Sequence, residues 1–148
     1  MDSDIQIPLI LDGAMGTALM MRGIKAPLPL WSAVANYENF DDVIAIHKEY
    51  IKSGCNVITT NSFRTTPRTF RKAGYSNSNA VVKSEQSLRL AIEAANTARK
   101  GRNVLVAGSI GPLEDCYEPN DFPGKSIAID EYIHLINIFN HQAVDLLL

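Results

Sequence analysis

The stretch LILDGAMGTAL, residues 9–19, runs from three apolar residues into Asp12-Gly13 and then into small, helix-compatible residues. An apolar strand that ends on a carboxylate and a glycine, with a helix close behind, reads as the opening of a βα unit. Asp-Gly at that point is either a turn or the floor of a site. In parallel βα folds the loops leaving the C-terminal ends of the strands carry the chemistry. The rest of the chain decides between these readings.

Working outward, IPLIL (7–11) is followed by three more apolar runs: NVITT (56–60), NVLVAGSI (103–110) and AVDLLL (143–148). None alternates with polar residues, so each predicts a strand covered on both faces, as in a parallel sheet flanked by helices. Helical patterns lie between them. DDVIAIHKEYIKSG (41–54) sets Val43, Ile46 and Tyr50 on one stripe, with Asp41 or Asp42 as N-cap and Gly54 at the C-terminal glycine position. A short helix follows Thr66-Pro67 and stops at Gly74, and a longer one through residues 84–101 turns Leu88, Ile92 and Ala95 inward. IDEYIHLINIFNHQ (129–142) predicts a last helix with Ile129, Ile133, Ile136 and Phe139 or Asn140 on its buried stripe.

The strand ends at Asp12, Thr60, Ser109 and Leu148 stand about 40 to 50 residues apart, which suits βα units with extra elements in their loops. A (β/α)8 barrel (TIM barrel) and a doubly wound sheet share this order. The G-x-G-x-x-G fingerprint and the Walker loop are both absent after the first strand, so an α/β chain of the barrel type is the better fit. Four βα units are about half of such a barrel. The chain also stops on an apolar strand without a covering helix. Residues 1–148 therefore read as the N-terminal half of a barrel domain roughly twice as long.

Composition narrows the function classes. The 148 residues are 46% hydrophobic and 20% charged, with a net charge of −2. The basic residues are scattered, which gives no sign of a nucleic-acid or anionic-membrane surface. No apolar run is long enough for a bilayer, and the acidic start MDSDIQ lacks a signal-peptide layout. Two cysteines, Cys55 and Cys116, make no disulfide framework, and the expectation is a reduced, cytoplasmic protein.

The polar residues at the strand ends are the candidate site. Asp12 offers a carboxylate to a cation, the N–H groups of Gly13 and Ala14 offer donors to an anion, and Thr60 adds a hydroxyl. Such a set suits a zwitterion, as in an amino acid. His47 falls on the apolar side of its helix and reads as a packed histidine; His134 and His141 fall on the solvent face or end of the last helix. Cys55 reads as a space-filling residue. Cys116 lies in a loop with no second Cys or His at ligand spacing, so no metal site is expected within these residues.

LDGAMGT (11–17), PLWS (29–32), HKEYIKSGCNVITTNSF (47–63) and VAGSIGP (106–112), in this order and spacing, resemble the homocysteine S-methyltransferase family. The resemblance implies a (β/α)8 barrel with a catalytic zinc that methylates homocysteine to methionine. It further implies that Asp12 meets the homocysteine amino group while Gly13 and Thr60 receive the carboxylate. Zinc in that family is held by three cysteine thiolates, one near a later strand end and a Cys-Cys pair close to the C-terminus. Neither Cys55 nor Cys116 occupies such a place, so the resemblance assigns the ligands to a second half. Zinc would turn the substrate thiol into a thiolate able to attack the methyl carbon of a sulfonium, betaine or methylcobalamin donor. The implied partners are homocysteine and a methyl donor, without nucleic acid or membrane and with oligomerisation open. Two other readings stand beside it. One is a different barrel enzyme, such as an aldolase, using Asp12 as acid, base or Schiff-base helper; the other is a non-catalytic amino-acid-binding module.

Overall fold

Asn56 sets one edge of the sheet in the computed structural model, which describes residues 8–148. Its Oδ1 accepts the Ile10 N–H (2.6 Å) and its Nδ2 donates to the Pro8 carbonyl (3.3 Å). A side chain thus takes hydrogen bonds that a neighbouring strand would otherwise make. The expected strand at 7–11 shrinks accordingly: Ile7 lies outside the described residues, 8–10 are not strand, and only Leu11 bridges, parallel, to Val57.

Three strands follow: β1 (Val57–Thr59), β2 (Leu105–Gly108) and β3 (Leu146–Leu147). They pair in parallel in the order β1-β2-β3, with Val57 opposite Leu105 and Ala107 opposite Leu146. Each is shorter than its apolar run. For β3 the cause is again a side chain: Asp145 Oδ2 accepts the Val106 N–H (2.7 Å) and pairs with Arg99, so regular pairing starts one residue later. Leu11, β1, β2 and β3 lie side by side in chain order, without the reversal of a doubly wound sheet. With right-handed crossovers, such an order places every connecting helix on one face.

The helices are α1 (Met15–Met21), α2 (Ala35–Glu38), α3 (Phe40–Lys52), α4 (Pro67–Lys72), α5 (Asn77–Arg99) and α6 (Lys125–Asn140), with short 3-10 turns at Trp31–Val34 and Pro119–Asp121. Helix α4 begins as its sequence demands: Pro67 occupies the first turn and the Thr66 hydroxyl accepts the Thr69 N–H (3.2 Å). Helix α3 starts at Phe40 after Asn39, which places Asp41 and Asp42 in its first turn and not at the cap. Helix α5 begins at Asn77, earlier than its apolar pattern, and carries alanines to the sheet.

The core has three parts. Met15, Leu19, Val43 and Ile46 join α1 to α3. Ile58 and Val106 of the sheet pack on Ala95 and Ala98 of α5. Leu88 and Ile92 of α5 meet Leu135, Ile138 and Phe139 of α6. This last contact corrects part of the expected face of α6. Phe139 is buried as expected, but Ile129 and Ile133 are 47% and 52% exposed, and Ala128, Leu135 and Ile138 are buried in their place. Apolar residues surround this helix, and α5 selects only the stripe that meets it.

Candidate functional site at the strand ends

Leu11 turns the chain at the edge of β1, and the next residue uses its side chain to complete the pairing. Thr59 N–H donates to Asp12 Oδ2 (2.9 Å) and Thr59 Oγ1 donates to Asp12 Oδ1 (2.9 Å). The Asp12 side chain is only 1% exposed. Burial pushes its carboxyl above the usual range, against the opposing pull of the Thr59 N–H, the Thr59 hydroxyl and its own N–H. The carboxylate therefore lies under the surface of the strand-end region, with both oxygens engaged.

Gly13 and Ala14 form the exposed part of the turn. Among the described residues their N–H groups have no hydrogen-bond acceptor. Packing favours the glycine: a Cβ on Gly13 would lie 2.9 Å from the Tyr50 hydroxyl, so the ring would have to shift. Tyr50 in turn donates to the Ala14 carbonyl (3.4 Å), so α3 braces the turn from behind. Gly16 is needed for the same reason, since its Cβ would stand 2.5 Å from Trp31 Nε1. Trp31 takes φ +52, a region bulky residues seldom occupy, and its indole lies close to Gly16.

Thr60 follows β1, as expected for a strand end, but its hydroxyl is already used. Thr60 Oγ1 accepts the Ser109 N–H (3.0 Å) and pairs with Ser62 Oγ (2.7 Å), which donates to the Ser109 carbonyl (2.7 Å). This lattice ties the loop after β1 to the loop after β2. Beside it Asn61 and Asn36 exchange amide contacts, Asn61 Nδ2 to Asn36 Oδ1 (2.9 Å) and Asn36 Nδ2 to the Asn61 carbonyl (3.0 Å). Asn36 also reaches Ser87 Oγ (3.0 Å), and Asn61 reaches the Ser32 carbonyl (2.8 Å). The sequence reading missed Asn36 and the amide pair. An isolated asparagine in a short helix leaves no local signal of burial.

His47 is fully buried, as its helix face indicated, and its Nδ1 lies 3.9 Å from Asp12 Oδ2. Burial pushes the imidazole down to about 4, so at neutral pH this is an uncharged ring beside a carboxylate and not an ion pair. His134 sits near Glu85 (3.3 Å) and His141 caps α6 through the Asn137 carbonyl (2.6 Å), both outside the strand-end cluster.

A cleft of about 310 Å³ is lined by Leu28, Trp31, Phe63, Arg64, Asp115, Cys116 and Tyr117, on the side where Trp31 meets Gly16. The residues present do not fit a zinc ion. Among the described residues no three His, Cys, Asp or Glu side chains stand close enough to share a metal. Cys55 donates its thiol to the Leu11 carbonyl (3.4 Å), and burial, with the nearby Asp12 charge, pushes that thiol up, away from the thiolate a metal needs. Cys116 is exposed in a different loop.

The homocysteine S-methyltransferase family model matches residues 9–148. The chain is 39% identical over 114 residues to a homocysteine S-methyltransferase of Escherichia coli, covering 74% of this chain and 36% of that protein. It is 28% identical over 135 residues to homocysteine S-methyltransferase 1 of Arabidopsis thaliana, covering 82% and 41%. The metallated form of the homocysteine methyltransferase MmuM from E. coli superposes with a TM-score of 0.82 at 30% identity, over 97% of this chain and 54% of that one. The chain thus spans about two fifths of these curated relatives and about half of the solved chain. A family match running from the Asp12-Gly13 turn through every strand described above places this chain in the homocysteine S-methyltransferase family.

Proposed function

We propose that this chain is the amino-acid-binding half of a (β/α)8 barrel that transfers a methyl group to the thiol of homocysteine, forming methionine. The observation that carries the reading is the family match over residues 9–148, together with the free N–H groups at the exposed Gly13-Ala14 turn. In this reading the homocysteine carboxylate meets the Gly13 N–H, and Thr60 joins by exchanging its Ser62 bond for one to the same carboxylate. Asp12 takes the ammonium by giving up one of its two Thr59 bonds. The unreversed strand order and the helices on one face are what a barrel wall requires. Zinc belongs to cysteines outside these residues, since Cys55 and Cys116 do not fit it.

The test uses the full-length protein. Asp12→Asn keeps the shape and one acceptor for Thr59 but removes the charge. Homocysteine binding should weaken by about 1.5–3 kcal/mol, the range for a charged hydrogen bond. Zinc content should stay unchanged. Titration calorimetry and metal analysis read the two separately, and loss of zinc with unaltered homocysteine affinity would overturn the Asp12 assignment. An aldolase-type chemistry would instead show a borohydride-trappable Schiff base, and a binding module would show affinity without turnover.

A further inference from the structure

The most deeply buried ionisable group that the proposed chemistry leaves unused is His47. Its side chain is fully buried in the third turn of α3, and among the described residues neither ring nitrogen has a hydrogen-bond partner. Buried polar groups are nearly always paired, so an orphaned imidazole in a helix core calls for a reason. A carboxylate lies beside it: Asp12 Oδ2 is 3.9 Å from Nδ1, too far for a hydrogen bond but close enough for a strong charge–dipole contact in a dry interior. A neutral ring carries one N–H. On Nε2 it would leave the Nδ1 lone pair 3.9 Å from the carboxylate, and a buried donor without an acceptor among the described residues. On Nδ1 it places the proton on the nitrogen that lies beside the negative charge. Electrostatics therefore selects the Nδ1–H tautomer.

The same helix braces the rest of the turn one step further on, where Tyr50 packs against Gly13 and donates to Ala14. The Asp12-Gly13-Ala14 turn thus has two contacts from α3, one on the carboxylate and one on the backbone. The other groups near Asp12 are Thr59, which supplies both hydrogen bonds, and Cys55. In the proposed reading Asp12 exchanges one Thr59 bond for the ligand, and its orientation during that exchange depends on what else holds it.

We propose that His47 is a positioning residue that directs its Nδ1–H at Asp12 and fixes the carboxylate's orientation for the ammonium group of the amino-acid ligand. This rests on the reading of Asp12 in the proposed function.

The experiment compares homocysteine with 4-mercaptobutanoate, which lacks only the amino group, in the full-length protein and three variants. His47→Leu removes the ring in a site where no partner is lost. His47→Asn restores a donor at the Nδ1 place, and His47→Gln puts one at the Nε2 place. The wild type should prefer homocysteine. In His47→Leu and His47→Gln that preference should fall about tenfold, the usual loss for a residue that orients a contacting group, through KM and not kcat. His47→Asn should keep most of it, and 4-mercaptobutanoate should behave alike throughout. Ring nitrogen NMR of the wild type should show the Nδ1–H tautomer. A variant series that lowers both compounds equally, or leaves the preference intact, overturns the His47 role alone, as does the Nε2–H tautomer. A wild type with no preference for the amino group overturns the reading of Asp12, and the His47 role falls with it.

Discussion

At the residue scale, a carboxylate and an imidazole share one dry pocket, and their opposite responses to burial set how the protein answers acid. His47 is held neutral, with burial pushing it down to about 4 from an ordinary value near 6.5. The unfolded chain therefore takes up this proton first as pH falls, and stability declines between about 6.5 and 4. The full effect of such a shift is up to about 3 kcal/mol, and the facing Asp12 charge reduces it. Burial pushes Asp12 the other way, so its carboxyl protonates above the usual carboxylate value and favours the native state at low pH. Urea unfolding at pH 7 and pH 5 should show a loss of stability in the wild type that is visibly smaller in His47→Leu. Equal losses in the two proteins would mean that the imidazole is solvated in solution.

At the element scale, three pieces of chain are held by one cluster of charges. Arg68 of α4 reaches Glu114 in the loop after β2 (2.9 Å) and Glu131 of α6 (2.5 Å), and Lys72 pairs with the same Glu114. Burial alone would push the Glu114 carboxyl up, but Lys72 and Arg68 outweigh it and hold it below the usual range. Its contribution is therefore present at neutral pH and lost as the solution is acidified through that lowered value. Removing Arg68 leaves Glu114 largely covered with only Lys72 beside it. Arg68→Met should cost about 2 kcal/mol, between the values for surface and buried pairs. Adding Glu114→Gln should recover part of that loss in a double-mutant cycle followed by denaturant unfolding. Such a cluster is invisible in sequence, because its members lie far apart along the chain. The signals that were legible are local ones: Thr66-Pro67 opening α4, Gly54 closing α3, and the apolar side of α3 that buries His47. Strand lengths were overread because Asn56 and Asp145 take ladder bonds with their side chains. The face of α6 was misread at Ile129 and Ile133, though not at Phe139, because those isoleucines are as apolar as the residues that meet α5. Asp12 was legible as a strand-end carboxylate, but its burial under Thr59 was not, since the partner arrives from the next strand.

At the scale of the whole molecule, the apolar surface tells how this chain should behave by itself. Leu9, Ile10 and Leu11 are 69%, 52% and 50% exposed along one edge of the sheet, and Leu147 and Leu148 are 39% and 54% exposed along the other. Ile129 and Ile133 add an exposed stripe on α6. Unpaired strand edges and contiguous apolar surface both drive association in water. If the proposed half-barrel reading holds, the remaining βα units cover these surfaces in the full-length protein. The 148 residues expressed alone should then form dimers or larger species, hold no stoichiometric zinc, and make no methionine from homocysteine. The second and third outcomes follow from the thiols: Cys55 is committed to Leu11 with its proton retained, and Cys116 stands by itself in another loop. Two copies could cover each other's edges, yet that assembly would duplicate the proposed amino-acid-binding half without supplying a metal. Light scattering, metal analysis and a methionine assay on the purified chain, repeated with the rest of the protein supplied in trans, provide the test. Activity that appears only in the mixture supports the division of labour between halves. A monomer that binds one zinc per chain and turns over on its own would refute both the half-barrel reading and the placement of the metal outside these residues.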